Sequence, residues 1–322
     1  MHEFLSDVPN TYEQAICGPK GKQWNEVYTS EFESMIHNKV FVWAQLPTGK
    51  IAFPCKWLFV VKRRLDGTIE KYKARIVAGG HKQWEGIDFQ ETYTPVVKFV
   101  SLRILLAMAA IDDLEGEQCD IVTAFLYGDL DEEVYMRTPL GITPKVGDHY
   151  LTELGEHLLI TESNLDTNPP LYWYLQKSLY GLRQPPRCFY KKLDSILNKH
   201  GYKRIASDYV VWIAVHEALI IVHVDDMLLL GTVAGIQHIH NTLLENFLIK
   251  KMRPIGTHLF LELQIERDQE RHLISISQSI YARQILQRFA MSNCTPCSIP
   301  MDPKEDWCLK KDDVPLPDKS IY

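Results

Sequence analysis

Hydrophobic and polar positions along this 322-residue chain switch repeatedly between a period of two and a helical period. Phe41-Val42-Trp43-Ala44-Gln45 predicts a strand closed by the turn Pro47-Thr48-Gly49-Lys50. Trp57–Lys62 and Ile69–Val77 predict two more strands, and Asp66-Gly67 between them is a hairpin signal. Gly79-Gly80 ends this unit. Helical spacing then appears in Leu102, Leu105, Leu106 and Ala109, with Ser101 as the cap. It recurs in Phe189, Leu193, Ile196 and Leu197, opened by Pro185-Pro186 and closed by Gly201. Strands are predicted at Tyr209–Val215, Ala218–Val224 and Met227–Leu230, and a helix through Ile236, Ile239, Leu243, Leu244 and Phe247.

Toward the C-terminus, Leu259, Leu261, Leu263 and Ile265 alternate and predict one strand, paired through a polar turn with Ile274 and Ile276. Ser277 is placed to cap a final helix to about Met291. Near the N-terminus an amphipathic helix is expected around Trp24–His37, and residues 1–23 read as a lead-in. Lys145–Pro170 shows no firm periodicity and reads as an irregular insert. The proline-rich residues 293–322 read as a linker that stops as if another domain should follow.

Composition is that of an ordinary globular protein, 46% hydrophobic and 24% charged. No apolar run reaches membrane-spanning length and the N-terminus lacks signal-peptide character, so the expectation is an intracellular protein with no membrane partner. Seven cysteines without framework spacing read as reduced thiols, the lone Cys294-Thr295-Pro296-Cys297 included. The net charge of −6 conceals a strong pattern. Residues 56–75 carry seven cations against two acids, residues 177–204 eight against one, and residues 112–133 nine acids with no Lys or Arg. Each basic run alone is a solvated face at even odds; together, flanking an acidic block, they predict a polyanion track beside a cation site.

The acids themselves are the most informative residues. Asp225-Asp226 interrupts two apolar runs, and Asp120 sits at the start of another, in Gln118-Cys119-Asp120-Ile121-Val122. Carboxylates at such places are costly unless a cation neutralises them, and hard oxygen donors suit magnesium and phosphoryl transfer. Asp-Asp is also an ordinary turn pair, and taken alone that plainer reading is the better one.

Context decides between them. Tyr72-Lys73-Ala74-Arg75-Ile76-Val77-Ala78-Gly79-Gly80, Glu91-Thr92-Tyr93-Thr94-Pro95-Val96-Val97-Lys98, Gln118–Gly128, Lys177-Ser178-Leu179-Tyr180-Gly181-Leu182-Arg183-Gln184-Pro185-Pro186-Arg187 and Val224-Asp225-Asp226 follow one another in order. Together they resemble the reverse transcriptases of copia-type LTR retrotransposons, from about Trp24 to Pro300. The resemblance implies an α+β right-hand polymerase: β-rich fingers, a mixed or antiparallel palm sheet backed by helices, and part of a thumb. Fingers and palm would span 24–250 and the thumb-like hairpin and helix 251–292, with the chain truncated before any RNase H domain.

It further implies two magnesium ions, with manganese as the alternative, held by Asp120, Asp225, Asp226 and the carbonyl of Ile121. Lys73 or Arg75 would grip the nucleotide's triphosphate, Phe125 would exclude a ribose 2′-hydroxyl, and Gln184 would lie near the sugar. For Phe125 the alternative is a core ring, and for Gln184 a loop glutamine. Implied partners are a primed RNA or DNA template, deoxynucleoside triphosphates and another Pol subunit. The implied location is cytoplasmic, with virus-like particles or the nucleus as alternatives. Three positions depart from the pattern: His223 where tyrosine is expected, Glu262 where glycine is expected, and Gly79 where a cation is expected. They motivate a second reading, a transposon-derived relic that binds nucleic acid without polymerising.

Overall fold

The acid-bearing strands lie at the centre of an antiparallel six-stranded sheet in a computed structural model that describes residues 8–63, 68–162, 170–214, 218–250, 252–256 and 259–298. Its order is Lys203–Ile205, Asp208–Ala214, Ala218–His223, Asp226–Gly231, Glu115–Asp120, Arg253–Pro254. Met227, Leu228, Leu229 and Leu230 are consecutive and all buried. Successive strand side chains point to opposite faces, so both faces of the sheet are covered there. The helices Phe99–Ile111, Pro185–Lys199 and Val233–Asn246 supply Leu102, Leu106, Phe189, Leu193, Ile239 and Leu243 to the same core. Burial on this scale holds the central strands rigid, which a site built at their ends requires.

A second six-stranded sheet is mixed. Its order is Ala52–Phe53, Asp129–Met136, Tyr172–Lys177, Phe41–Ala44, His149–Leu151, His157–Leu159, with parallel pairing of Ala52–Phe53 to Asp129–Met136 and of Phe41–Ala44 to His149–Leu151. Beside it Cys55–Arg63 and Ile69–Ala78 form a long antiparallel hairpin. The apolar alternation of that hairpin explains its docking. Trp57, Phe59 and Val61 oppose Ile76, Ala74 and Tyr72 on one face. Trp24 of the helix Gly21–His37 packs edge-on against Phe59 and Tyr72 there, at 5.2 and 4.8 Å between ring centroids. A preceding helix, Tyr12–Cys17, joins the same cluster through Ala15 and through Tyr12 against Tyr28. Gln264–Asp268 and Leu273–Ser277 form a separate two-stranded hairpin, followed by the helix Ser279–Arg288.

Several local expectations are corrected. Lys145–Pro170 is not wholly irregular: its two three-residue strands extend the mixed sheet, with Tyr150 and Ile160 buried, and they are too short to register as periodicity. The Phe99–Ile111 helix begins ahead of Ser101, because the Lys98 N–H is taken by the distant Asp208 carboxylate at 3.1 Å instead of by a local cap. The last helix likewise opens at Ser279, after Gln278. Leu244 is 58% exposed and outside the core.

The continuous strand expected from Leu259 to Ile265 is broken. Phe260 and Leu263 exchange backbone hydrogen bonds of 3.0 and 2.9 Å around a two-residue turn, with Leu261 and Glu262 both left-handed at φ +53° and +60°. Glycine, expected at 262, is the residue that adopts such a φ at no steric cost. The Asp66-Gly67 turn and the tail beyond residue 298 lie outside the described residues. Among the described cysteines, Cys17, Cys55, Cys119, Cys188, Cys294 and Cys297 are free thiols.

Candidate active site

Ala218–His223 and Asp226–Gly231 pair from Ala218↔Gly231 down to His223↔Asp226, so a two-residue turn, Val224-Asp225, closes the hairpin. Val224 sits at φ +58°. A β-branched residue there is strained, and glycine is the usual occupant of that place in a tight hairpin. Asp226 lies directly opposite Asp120 on the neighbouring strand. The Ile121 N–H donates to the Asp225 carbonyl at 3.1 Å. That bond makes Asp120↔Asp226 a non-hydrogen-bonded pair, the kind in which facing side chains approach most closely. All three acids predicted from the sequence are therefore brought to one end of the sheet.

The consequence is electrostatic. Burial, then the neighbouring charges of Asp225 and Asp120, push the Asp226 carboxyl up to about 6, against a smaller opposing pull from Lys250 and Lys62. Like-charged carboxylates crowded in this way are what a bound cation relieves. Lys250 partly meets the need: its ammonium forms an ion pair with Asp120, and its backbone N–H donates to the Asp120 carbonyl at 2.9 Å. With Asp120 so engaged, no group of three His, Cys, Asp or Glu side chains is gathered into a ready metal cage among the described residues. The donor set nevertheless fits a hard divalent ion, since three carboxylates and the peptide of Ile121 share one sheet end. The Ile121 carbonyl takes no part in the adjoining backbone bonds, which run from Val122 N to Leu248 O and from Lys250 N to Asp120 O.

Beyond Asp120 the chain makes a second strained turn. Thr123, also β-branched, has φ +52°, and the short 3-10 helix Ala124–Tyr127 follows it. Strain concentrated within three residues of the acids on both strands is the pattern of a site whose geometry is imposed by surrounding packing. The helix presents Phe125, half-buried, whose carbonyl accepts from the Ser178 hydroxyl. Its ring meets Tyr180 edge-to-face at 5.4 Å, and the Arg75 guanidinium lies 4.8 Å from the Tyr180 ring centroid.

Arg75 belongs to the other face of the hairpin Cys55–Arg63/Ile69–Ala78. There Leu58, Val60 and Lys62 oppose Arg75, Lys73 and Lys71. Burial, followed by the charges of Lys62, Arg75, Lys250 and Lys71, pushes the Lys73 ammonium down from its ordinary value. Lys62 acts on Asp226 and Lys250 on Lys73, so this cationic face lies within electrostatic reach of the carboxylates. A crowd of cations near a crowd of acids is an arrangement that an anion bridged by a divalent cation would satisfy.

Two expectations fare differently. The second basic block is not an open track: Lys177 and Lys192 pair with Asp129, Lys191 with Asp131, Arg187 with Glu91 and Arg204 with Asp194. The acidic block that it was expected to flank instead takes up three of its eight cations, Lys177, Lys191 and Lys192. Gln184 is 2% exposed, with its amide bonded to Gln83 at 3.1 Å and to Glu132 at 3.3 Å. Lys250 carries no sequence signal for its position, standing 130 residues from Asp120, and nothing in the motif block around Tyr180 announces its packing against Phe125.

The sequence assigns the class. Residues 38–303 match the family described as reverse transcriptase (RNA-dependent DNA polymerase). The chain belongs to the reverse transcriptase family. It is 34% identical to the retrovirus-related Pol polyprotein from transposon TNT 1-94 of Nicotiana tabacum, over 91% of this chain and 21% of that one. Against the Pol polyprotein from transposon RE2 of Arabidopsis thaliana it is 31% identical, over 96% of this chain and 20% of that one. The chain thus spans about a fifth of the length of these relatives. Among solved structures, a foamy viral protease–reverse transcriptase in complex with double-stranded DNA aligns with TM-score 0.40 and 14% identity, over 81% of this chain and 36% of that one. A likeness that slight carries no structural weight. Among the described residues no helix is long and apolar enough to cross a membrane.

Proposed function

We propose that this chain is the RNA-directed DNA polymerase segment of a retrotransposon Pol polyprotein, adding deoxynucleotides to a primer 3′-hydroxyl with magnesium at the Asp120–Asp225–Asp226 cluster. Manganese is the alternative ion. The observation that carries the reading is the direct cross-strand pairing of Asp120 with Asp226. Two bound divalent ions would supply Lewis-acid stabilisation of the attacking and leaving oxygens of an in-line displacement. The remaining work belongs to the chain. Asp120 and Asp225 are the main donors, Asp226 supports them, and the Ile121 carbonyl is a further donor. Lys73 and Arg75 offset triphosphate charge. The Phe125 ring limits the room at the sugar's 2′ carbon, and Gln184, buried against Gln83 and Glu132, acts near the sugar by holding that region in place. Partners are a primed RNA or DNA template, deoxynucleoside triphosphates and a further Pol subunit, in the cytoplasm, virus-like particles or the nucleus.

Primer extension on poly(rA)/oligo(dT) with magnesium tests this. Wild-type protein should incorporate dTTP, and Asp225→Asn should abolish incorporation; unimpaired extension by that variant removes Asp225 from the site. A second reading, a transposon-derived chain that only binds nucleic acid, draws on Glu262 at a left-handed φ where glycine is expected and on His223 at the turn. Salt-sensitive retention of primer–template without extension would favour it. His223→Tyr restoring extension would locate the defect.

A further inference from the structure

The loop Ser178–Leu182 is clamped from two sides by hydrogen bonds. On the palm side the Ser178 N–H donates to the Gly128 carbonyl at 2.8 Å, and its hydroxyl donates to the Phe125 carbonyl. On the fingers side Ala78 N–H donates to the Tyr180 carbonyl at 2.8 Å and Gly80 N–H to the Gly181 carbonyl at 3.1 Å. Gly181, at φ +89°, passes so close that a Cβ there would lie 2.3 Å from the Ala78 carbonyl oxygen. The backbone of Tyr180 is thereby fixed relative to both Phe125 and the hairpin bearing Arg75.

Its side chain uses that placement. The ring meets Phe125 edge-to-face at 5.4 Å and carries the Arg75 guanidinium 4.8 Å from its centroid. Edge-to-face pairs hold a defined geometry that aliphatic contacts do not, and a cation on the ring fixes it further. Burial keeps the phenol neutral, its pKa pushed up to about 12. Gln184, by contrast, spends its amide on Gln83 and Glu132.

We propose that Tyr180 is a positioning residue for sugar selection: its ring, braced by Arg75, sets how far the Phe125 ring can retreat from the nucleotide's 2′ carbon. The proposal rests on the polymerase reading above and adds to it a residue with no part in metal binding. Without the Tyr180 ring, Phe125 gains room and a 2′-hydroxyl is tolerated. Because Tyr180 acts through Phe125, the two should not contribute independently.

The test is single-nucleotide incorporation of dTTP and the matching ribonucleotide on primer–template, comparing kcat/KM ratios for wild type, Tyr180→Phe, Tyr180→Leu, Phe125→Leu and Tyr180→Leu/Phe125→Leu. Tyr180→Leu should lower the deoxy-to-ribo ratio roughly tenfold, the scale that modest pocket reshaping produces. Tyr180→Phe, which keeps the ring, should hold the wild-type ratio. The double variant should be no less selective than Phe125→Leu. An unchanged ratio in Tyr180→Leu, or additive losses in the double variant, overturns the proposal. Should Tyr180→Leu fail to fold, Tyr180→Met takes its place with the same expectation. Wild-type protein that does not extend primers overturns the polymerase reading instead. The Tyr180 role is then decided by equilibrium binding of the two nucleotides to the protein–primer–template complex: wild type should prefer the deoxynucleotide and Tyr180→Leu should lose that preference, and equal preference in both overturns it.

Discussion

Lys250 holds Asp120 twice, by an ion pair from its ammonium and by a hydrogen bond from its backbone N–H to the Asp120 carbonyl. The side-chain contact occupies a carboxylate proposed as a metal donor, so a metal ion entering the site must displace an ammonium. Both side chains are partly exposed, at 46% and 32%. The contact is therefore worth no more than about 1 kcal/mol. Lys250→Met should tighten divalent-ion binding by at most about fivefold, as measured by manganese titration followed by electron paramagnetic resonance. Unchanged or weaker binding would mean that the ammonium assists the metal instead of competing with it.

Glu31 carries the clearest pH signature outside the acid cluster. Burial pushes its carboxyl up to about 7 from an ordinary 4.5, against the opposing influence of Arg75, the Ile76 N–H and Lys73. A raised carboxyl binds more protons folded than unfolded, so stability should fall as pH climbs from about 4.5 through 7 and level off above. Glu31→Gln should remove that slope and raise stability at pH 8 by roughly 1–3 kcal/mol. Chemical denaturation at a series of pH values measures it, and parallel curves for the two proteins would refute the assignment.

The turn at Leu261-Glu262 stores backbone strain that a single change relieves. Both residues are left-handed, and an L residue in that conformation costs about 1–2 kcal/mol relative to glycine. Glu262→Gly should therefore stabilise the protein by about 1 kcal/mol in urea denaturation, after allowing for the greater freedom of glycine in the unfolded chain. A loss of stability would show that the Glu262 side chain makes a compensating contact.

Gly80 predicts the reverse. A Cβ at this position would lie 2.1 Å from the Gly181 carbonyl oxygen and 2.7 Å from the Leu182 Cα, both backbone atoms with little room to move. Gly80→Ala should destabilise by roughly 1–3 kcal/mol. It should also loosen Tyr180 against Phe125, which hydrogen exchange at the Ala78 and Gly80 amides would report. Full protection of those amides in the variant would contradict the backbone clamp.

The hairpin that carries Asp225-Asp226 was legible because its signal is local. Apolar runs bounded by Asp225-Asp226 define two strands, and Asp120 stands out as a charge beside a third. The left-handed residues were not legible: Val224 and Thr123 are β-branched, and local preference argues against φ values of +58° and +52°. Tertiary packing overrides propensity there, as it does where Asp208 caps a helix begun after Lys98. Lys250, Tyr180 and the burial of Gln184 are long-range facts with no periodicity to announce them. The pairing of the second basic block with Asp129 and Asp131 was hidden for the same reason, since charge counts do not reveal which charges face each other.

The most direct test of the central claim is manganese binding to the protein–primer–template–nucleotide complex, followed by electron paramagnetic resonance in wild type, Asp120→Asn and Asp225→Asn. If these carboxylates share one cation-binding end of the palm sheet, wild type binds manganese and each substitution weakens binding at least tenfold, the scale of losing a charged donor. Equal manganese affinity in all three proteins would contradict it.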